Sequence, residues 1–382
     1  MKTIAEINEK IKKGTAVVVT AEEVIQIAKE KGYKKAAEEI DVVTTGTFGA
    51  MCSSGAFINT GHANPPIKMQ SITLNDVPAY AGLAAVDLFI GAAELSNKQG
   101  MEYGGGHVIE DFIAGKDIKL YAKGVGTDSY PRKEILTTIN KYNVNQAYMY
   151  NPRNAYQNYP AAINSTDKTI YTYMGTLLPK HGNITYATSG ELSPLINDPH
   201  YRTIGIGTKI FLGGAVGYVS WQGTQHNPAQ ERGENGVPTN LAGTIAVTGN
   251  LKDMSTRYIK GARYHKYGVS LFVGLGIPIP ILDEEMLRYT AVSNEEIYTT
   301  LVDKSGNETY DIKYNYAQLR SGHVDFKGKS VLTAPLSSLS RAREIANTLK
   351  DWIQHSNFTL TEAVTPLPRE DKVNTLDIRE MK

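Results

Sequence analysis

The chain has a single cysteine, Cys52, among 382 residues. That excludes a disulfide within the chain and any zinc or iron–sulfur site built from several cysteines of one chain. An excess of either charge is also missing: 40 Lys and Arg stand against 39 Asp and Glu, a formal net charge of +1. Such balance predicts no nucleic-acid partner, because a phosphate backbone selects for basic surfaces. No apolar run approaches the ~18 residues that a membrane-spanning helix needs. The N-terminal "MKTIAEINEKIKKG" has no signal-peptide core and reads as an amphipathic helix. Together these absences predict no membrane association and a reducing, cytoplasmic setting. Phe (8) and Trp (2) are scarce while Tyr (23) is abundant, which predicts surfaces where a ring packs and its hydroxyl finds a partner. The eight histidines are dispersed and no pair has helical metal-ligand spacing, so no metal is expected.

What is present reads as an α/β fold: mixed sheets with flanking helices and a β-rich, Gly/Tyr-rich middle section. "TAVVVT" is a short strand, and Thr20 caps "AEEVIQIAKEKGYKKAAEEI" with Glu23 at capping-box spacing. "DVVTTGTF" is the next strand and ends at the cysteine loop. From about 145 to 250 the chain is rich in Gly, Tyr, Thr and Asn, and helical periodicity fails there. Helix–strand alternation returns at "DMSTRYIKGARYHKYG", "VSLFVGLGIPIPIL" and "DEEMLRYTAV", and closes with "SVLTAP" and the helix "LSSLSRAREIANTLKDWIQH". The expected division is an α/β segment 1–145 carrying the cysteine loop, a β-rich section 146–250, an α/β segment 251–360 and a polar C-terminal arm 361–382.

Four stretches have the residue types of a site. "MCSSGAF" places Cys52 in a loop of small residues, and a helix starting after it would favour thiolate. A buried, inert thiol is an equal reading of composition alone. In "KGVGTDSYPRKE", Pro131 behind Asp128 and Ser129 predicts the start of a helix over "RKEILTTINKY". The same loop, at the end of the strand "DIKLYAK", is where α/β folds bind ligands. "YGGGHVIEDFIAG" predicts a helix opened by glycines, with His107 either its cap or a proton carrier. "GIGTKIFLGGAVGYVSWQGTQHNP" is glycine-interrupted β sequence ending in His226 and Asn227, either polar substrate ligands or a structural corner.

Taken together, "TTGTFGAMCSSGAFINTGH", "YGGGHVIEDFIAGK", "GVGTDSYPRKE" and "GIGTKIFLGGAVGYVSWQGTQHNP" resemble the homocysteine-forming sulfurtransferases of methanogens and other anaerobes. The resemblance covers about residues 1 to 360. It implies conversion of L-aspartate semialdehyde to L-homocysteine, with sulfide as the sulfur source. The C-terminal pair of CBS domains that many members carry is not matched, so nucleotide-type regulation is not implied. The family's pattern has two cysteines. The first falls on Cys52 and the second on Ser129. Either this member works with one cysteine, or Ser129 is an introduced replacement for a catalytic one.

On that resemblance Cys52 is expected to carry a persulfide, with Ser129 at the resolving position and His107 or His62 moving protons. Arg132, Arg202 and Arg263 are the candidates to hold the substrate carboxylate. Asp128, His226 and Asn227 complete the expected substrate contacts. No tightly bound cofactor is expected, so external electrons are required. The resemblance implies a ferredoxin-like iron–sulfur protein as electron or sulfur partner, and a homo-oligomer is a further expectation. Two other readings stay open: an acyl- or CoA-type transferase that does not need Cys52, and a persulfide carrier that performs no turnover.

Overall fold

The computed structural model describes residues 1–378, and residues 379–382 of the expected C-terminal arm lie outside them. Its spine is a nine-stranded sheet. Eight strands run in the order Ile259–Tyr264, Gly268–Gly276, Lys209–Leu212, Ala215–Gln222, Ile245–Asn250, Gln146–Asn154, Gly55–Asn59 and Asp87–Gly91. The ninth, Thr47–Ala50, pairs antiparallel with Gly268–Gly276. The sheet thus draws strands from residues 47–91, 146–250 and 259–276. A six-stranded sheet is mixed: Ala161–Ile163 runs parallel to Tyr298–Asp303, and Asn183–Tyr186 parallel to Lys329–Pro335. A three-stranded sheet joins Val18–Thr20 parallel to Val42–Thr44 and antiparallel to Pro278–Pro280. This is the mixed-sheet α/β architecture expected from the alternation of periods.

The helices form where their caps stand. Thr20 accepts from the Glu23 N–H, and Glu23 in turn accepts from the Thr20 N–H at 2.7 Å, closing the capping box on Ala21–Lys31. Gly32, at φ 79°, then breaks the predicted single helix into Ala21–Lys31 and Tyr33–Glu39. The long helix Leu339–Gln354 buries Ala342, Ile345, Ala346, Leu349 and Ile353 against the strands Thr47–Ala50 and Gly268–Gly276. Full burial of each large aliphatic side chain there contributes about 1.5–3 kcal/mol. The approach is close at Gly46, where an added Cβ would stand 2.2 Å from the Ala342 carbonyl oxygen.

Two expected helices are strands. "RKEILTTINKY" forms Glu134–Ile139, hydrogen-bonded to Ile118–Lys123 over six residue pairs. Its Ile and Thr residues are β-branched and lose χ1 freedom in a helix, and a strand partner was in reach. "DMSTRYIKGARYHKYG" forms Ile259–Tyr264, which turns at Lys266 and Gly268 to pair with Gly268–Gly276. The C-terminal segment lies on the body: Thr365–Pro366 pairs with Gly205–Ile206, and Leu367 is buried. No described helix is long and apolar enough to cross a membrane.

Candidate active site

Cys52 lies in the turn between the strands Thr47–Ala50 and Gly55–Asn59, and no helix begins after it. The chain passes straight into the second strand because Gly55–Asn59 has partners on both edges, Gln146–Asn154 and Asp87–Gly91. The expected helix dipole at the thiol is therefore absent. What fixes the turn is a set of hydrogen bonds from distant residues. The Met51 N–H donates to the Leu271 carbonyl at 2.8 Å. The Asn151 amide donates to the Ser54 hydroxyl at 2.8 Å, and the Ser53 hydroxyl donates to Asn151 Oδ1 at 3.2 Å. The Ser270 hydroxyl donates to Cys52 Sγ at 3.1 Å. The thiol is half-buried and free.

Cys52 opens into a cavity of about 370 Å³, a size that suits a small metabolite. Thr47, Met51, Ala155, Met174, Ala187, Thr188 and Ser193 line it together with five tyrosines, Tyr156, Tyr159, Tyr173, Tyr264 and Tyr267. The tyrosines form a continuous wall. Tyr156 and Tyr159 meet edge-on at 5.1 Å, Tyr159 and Tyr173 at 6.4 Å, and Tyr173 and Tyr267 at 6.4 Å. Arg153 is the one formally charged lining side chain among the described residues, and no carboxylate lines the cavity. Arg153 Nε donates to Thr224 Oγ1 at 3.2 Å, and Arg153 takes part in no ion pair among the described residues.

Burial pushes the Tyr156 hydroxyl up to about 12, with the Cys52 sulfur adding to the shift and Arg153 opposing it. Burial and the Cys52 sulfur likewise push Tyr264 up to about 12. Tyr159 and Tyr267 are raised, first by burial. Tyr173 differs: burial raises it, but the Lys304 ammonium, donating to its oxygen at 2.9 Å, and Tyr159 outweigh burial and lower it. Around neutral pH the raised phenols of the wall are protonated and able to donate, Tyr159 being already engaged with Tyr173.

The other expected site residues lie outside this lining. Asp128 and Ser129 are exposed in a tight turn closed by Thr127 and Tyr130, at the tip of the hairpin Ile118–Lys123/Glu134–Ile139. Arg132 belongs to the same cluster, where Nε donates to the Pro65 carbonyl at 2.9 Å and Nη2 to the Asn64 carbonyl at 2.8 Å. His62 stacks on Tyr130 with ring centroids 6.3 Å apart. The fold thus brings His62, Asp128, Ser129 and Arg132 together, outside the cavity that Cys52 lines. His107 opens the expected helix Gly105–Ile113, where its Nδ1 accepts from the Gly104 N–H at 3.2 Å and burial lowers its pKa.

Arg202 is engaged by Asp283 at 2.6 Å and Glu285 at 2.9 Å, and Arg263 by Glu102. His226 is buried: its Nδ1 lies 2.8 Å from the Thr244 carbonyl oxygen and 3.1 Å from the Thr244 nitrogen, and its Nε2 lies 2.9 Å from the Pro368 carbonyl oxygen. It ties the C-terminal segment to the sheet. The Asn227 N–H donates to the Ala242 carbonyl at 3.0 Å. The residues that sequence reasoning missed are Arg153, Ser193, Ser270 and the tyrosine wall. No local pattern marked them: Arg153 lies at the end of the strand Gln146–Asn154, and Tyr156 and Tyr159 follow in irregular backbone with positive φ at Ala155 and Asn158.

Residues 16–360 match the family described as homocysteine biosynthesis enzyme, sulfur-incorporation. A relative from Methanosarcina acetivorans, named L-aspartate semialdehyde sulfurtransferase, is 49% identical over 98% of this chain and 74% of its own length. One of the same name from Methanocaldococcus jannaschii is 51% identical over 97% of this chain and 74% of its own length. An uncharacterised protein from Methanothermobacter thermautotrophicus is 29% identical over 84% of this chain and 72% of its own. No solved structure matches. With the family matched across the cysteine turn, the cavity wall and the sheets that hold them, the chain belongs to the sulfur-incorporating enzymes of homocysteine biosynthesis.

Proposed function

We propose that this enzyme converts L-aspartate semialdehyde to L-homocysteine, with Cys52 carrying the incoming sulfur. One observation carries the reading: the chain's only thiol opens into a metabolite-sized cavity whose one formally charged lining group is Arg153. An aldehyde bearing a carboxylate suits that arrangement, with Arg153 as the carboxylate's partner in place of Arg132, Arg202 or Arg263. The names of the two relatives that are about half identical support the substrate.

In the addition step the terminal sulfur of a Cys52 persulfide anion attacks the aldehyde carbon. A C–S bond forms, the carbonyl π bond breaks, and the oxygen takes a proton from a neutral tyrosine hydroxyl. Two electrons and two protons then cleave the S–S bond, returning the Cys52 thiol and releasing a hydroxythiol. Loss of water leaves a thioaldehyde, which two further electrons and two protons reduce to the thiol. The persulfide is loaded from a sulfane-sulfur donor, a persulfide or polysulfide that passes its outer sulfur to Cys52 and leaves as a thiol or shortened chain, so loading needs no oxidant and the demand on the reductant is four electrons. The electrons come from outside the chain, from a ferredoxin-like iron–sulfur protein. Because the cavity offers no second thiol, cleavage of the S–S bond is assigned to that external reductant and Ser129 has no part in it.

Intact mass spectrometry after a sulfane donor and aspartate semialdehyde, with and without a low-potential reductant, tests this. The expected result is a reductant-sensitive adduct on Cys52 and homocysteine in the reduced sample. Homocysteine formation by Cys52→Ser at the wild-type rate would overturn it.

A further inference from the structure

Addition of sulfur to an aldehyde calls for a proton at the carbonyl oxygen, and five tyrosines line the cavity. Tyr173 is set apart from the others by its neighbours. With Met174 it makes the two-residue turn that joins Ile170–Thr172 to Gly175–Leu177. The turn is fixed by Met174, whose N–H donates to Thr172 Oγ1 at 3.0 Å and whose carbonyl accepts from the Thr185 hydroxyl at 2.7 Å. The Tyr173 oxygen accepts from the Lys304 ammonium at 2.9 Å. Lys304 follows the strand Tyr298–Asp303, where its N–H donates to the Ile163 carbonyl at 2.9 Å. Its ammonium forms no ion pair among the described residues. The neighbouring Asp303 carboxylate accepts instead from the Ser305 hydroxyl at 2.7 Å. Tyr159 also donates to the Tyr173 oxygen. That oxygen therefore accepts twice, while its own hydrogen has no acceptor among the described residues. Beyond burial, the Cys52 sulfur and the Tyr173 oxygen both raise Tyr156, and both raise Tyr267. The sulfur and the Tyr173 oxygen thus share the same neighbouring hydroxyls.

We propose that Tyr173 is the acid that protonates the aldehyde oxygen as the persulfide sulfur adds, with Lys304 as its positioning residue. The inference rests on the function proposed above and names the tyrosine left open there. The physical reason is the match of acid to task, since an acid works best when its pKa lies near the working pH. Burial raises Tyr173, but the Lys304 ammonium and Tyr159 outweigh it and lower the hydroxyl, whereas the other four stay raised by burial. Lys304, Tyr159, Tyr156 and Tyr267 are the titratable groups that face Tyr173, and Lys304 is the only cation among them. Arg153 acts on Tyr156 and Tyr159 instead. In the step the C–S bond forms, the carbonyl π bond breaks and the Tyr173 hydrogen moves to the oxygen. The phenolate left behind rests on the Lys304 ammonium. No electron is gained or lost. Tyr173 is 41% exposed, so water reaches it and returns the proton. Because the protonated phenol is required, the rate falls as pH rises through the Tyr173 pKa. Removing the ammonium raises that pKa and moves the fall to higher pH.

The addition step is isolated in the full chain by loading Cys52 from a polysulfide and adding aspartate semialdehyde without reductant. The rate of adduct formation is read by mass spectrometry of quenched samples. Tyr173→Phe is expected to take up sulfur on Cys52 and then form the adduct about 100-fold more slowly than wild type. Lys304→Met is expected to slow the adduct about tenfold and to move the alkaline fall in rate up by about one pH unit. Lys304→Arg keeps a cation and is expected to recover most of the rate. An ultraviolet difference titration against the matching Tyr173→Phe protein reads the phenol itself. It is expected to ionise below the ordinary value of about 10 in wild type, and at higher pH in Lys304→Met. A wild-type rate of adduct formation in Tyr173→Phe, or a rate profile and titration that Lys304→Met leaves in place, would overturn the assignment while the proposed function stands. Wild type that takes up sulfur on Cys52 but forms no adduct would overturn both. Tyr173→Phe removes a single oxygen from a partly exposed ring, so it remains a test should Lys304→Met fold poorly.

Discussion

Ser270 and Cys52 are 218 positions apart in sequence, yet the Ser270 hydroxyl donates to the Cys52 sulfur at 3.1 Å. The contact exists because Gly268–Gly276 pairs with Thr47–Ala50, the strand that leads into the cysteine turn. It holds the sulfur toward the cavity and supplies a donor that thiolate chemistry needs. Ser270→Ala is expected to slow native-state alkylation of Cys52 about fivefold, the equivalent of one hydrogen bond of ~1 kcal/mol. A rate equal to wild type in an iodoacetamide time course would show that the contact does not matter to reactivity.

Arg153 is expected to act on substrate binding and not on the chemical step. Arg153→Met should raise KM for aspartate semialdehyde about 10- to 100-fold, and Arg153→Lys should recover only part of it, because an ammonium cannot form the bidentate pair. Steady-state kinetics decide the matter: a fall in kcat at unchanged KM would contradict the role.

Ser129 is exposed and does not line the cavity. Ser129→Cys should change stability by less than about 0.5 kcal/mol, as exposed substitutions do. The introduced thiol should be alkylated faster than Cys52 in the native protein. It should also form no disulfide with Cys52 of the same chain, since a bridge requires Cα atoms within about 7 Å. Peptide mapping under native, mildly oxidising conditions would reveal such a bridge and so refute the separation of the two motifs.

Asp41 links the helix Ile4–Lys12 to the three-stranded sheet, accepting from Lys10 at 2.7 Å and from the Val17 N–H at 3.0 Å. Burial raises its pKa, but Lys10, the Val17 N–H and Lys2 together outweigh burial and lower it. A carboxyl lowered on folding stabilises the native state above its unfolded value of about 3.9, and that contribution is lost as pH falls through the lower folded value. Asp41→Asn should therefore cost about 2 kcal/mol at neutral pH. Its stability should fall less steeply than wild type below about pH 4. Urea melts across that range test both statements, and parallel curves for the two proteins would refute the second.

Gly46 precedes the strand that leads to Cys52 and lies under the helix Leu339–Gln354. Gly46→Ala would set a methyl 2.2 Å from the backbone oxygen of Ala342, so the helix must move. A loss of about 2 kcal/mol or more is expected in thermal melts, with slower sulfur loading of Cys52 because the turn shifts with its strand. A wild-type melting temperature would mean that the helix yields freely.

By itself the sequence determined what is encoded locally. The capping box of Thr20 and Glu23, the helix opened by "GGGH", the closing helix Leu339–Gln354 and the β character of the middle section are set by side chains a few positions apart. The single thiol in a loop of small residues was legible on the same ground, and the motifs around it marked the family. Tertiary structure alone decided which residues share the cavity. Arg153 and Tyr264 meet Cys52 because Gln146–Asn154 pairs with Gly55–Asn59, and both Ile259–Tyr264 and Thr47–Ala50 pair with Gly268–Gly276, while Ser193 and the other four tyrosines reach the cavity from outside those strands. It also decided which polar residues were already occupied: Arg202 by Asp283, Arg263 by Glu102, and His226 by Thr244 and Pro368. Strand pairing overrode the helix-start signal of Pro131 for the same reason. A few β-branched residues prefer a partner strand over a helix, and the partner's position is a property of the folded chain, not of the local sequence.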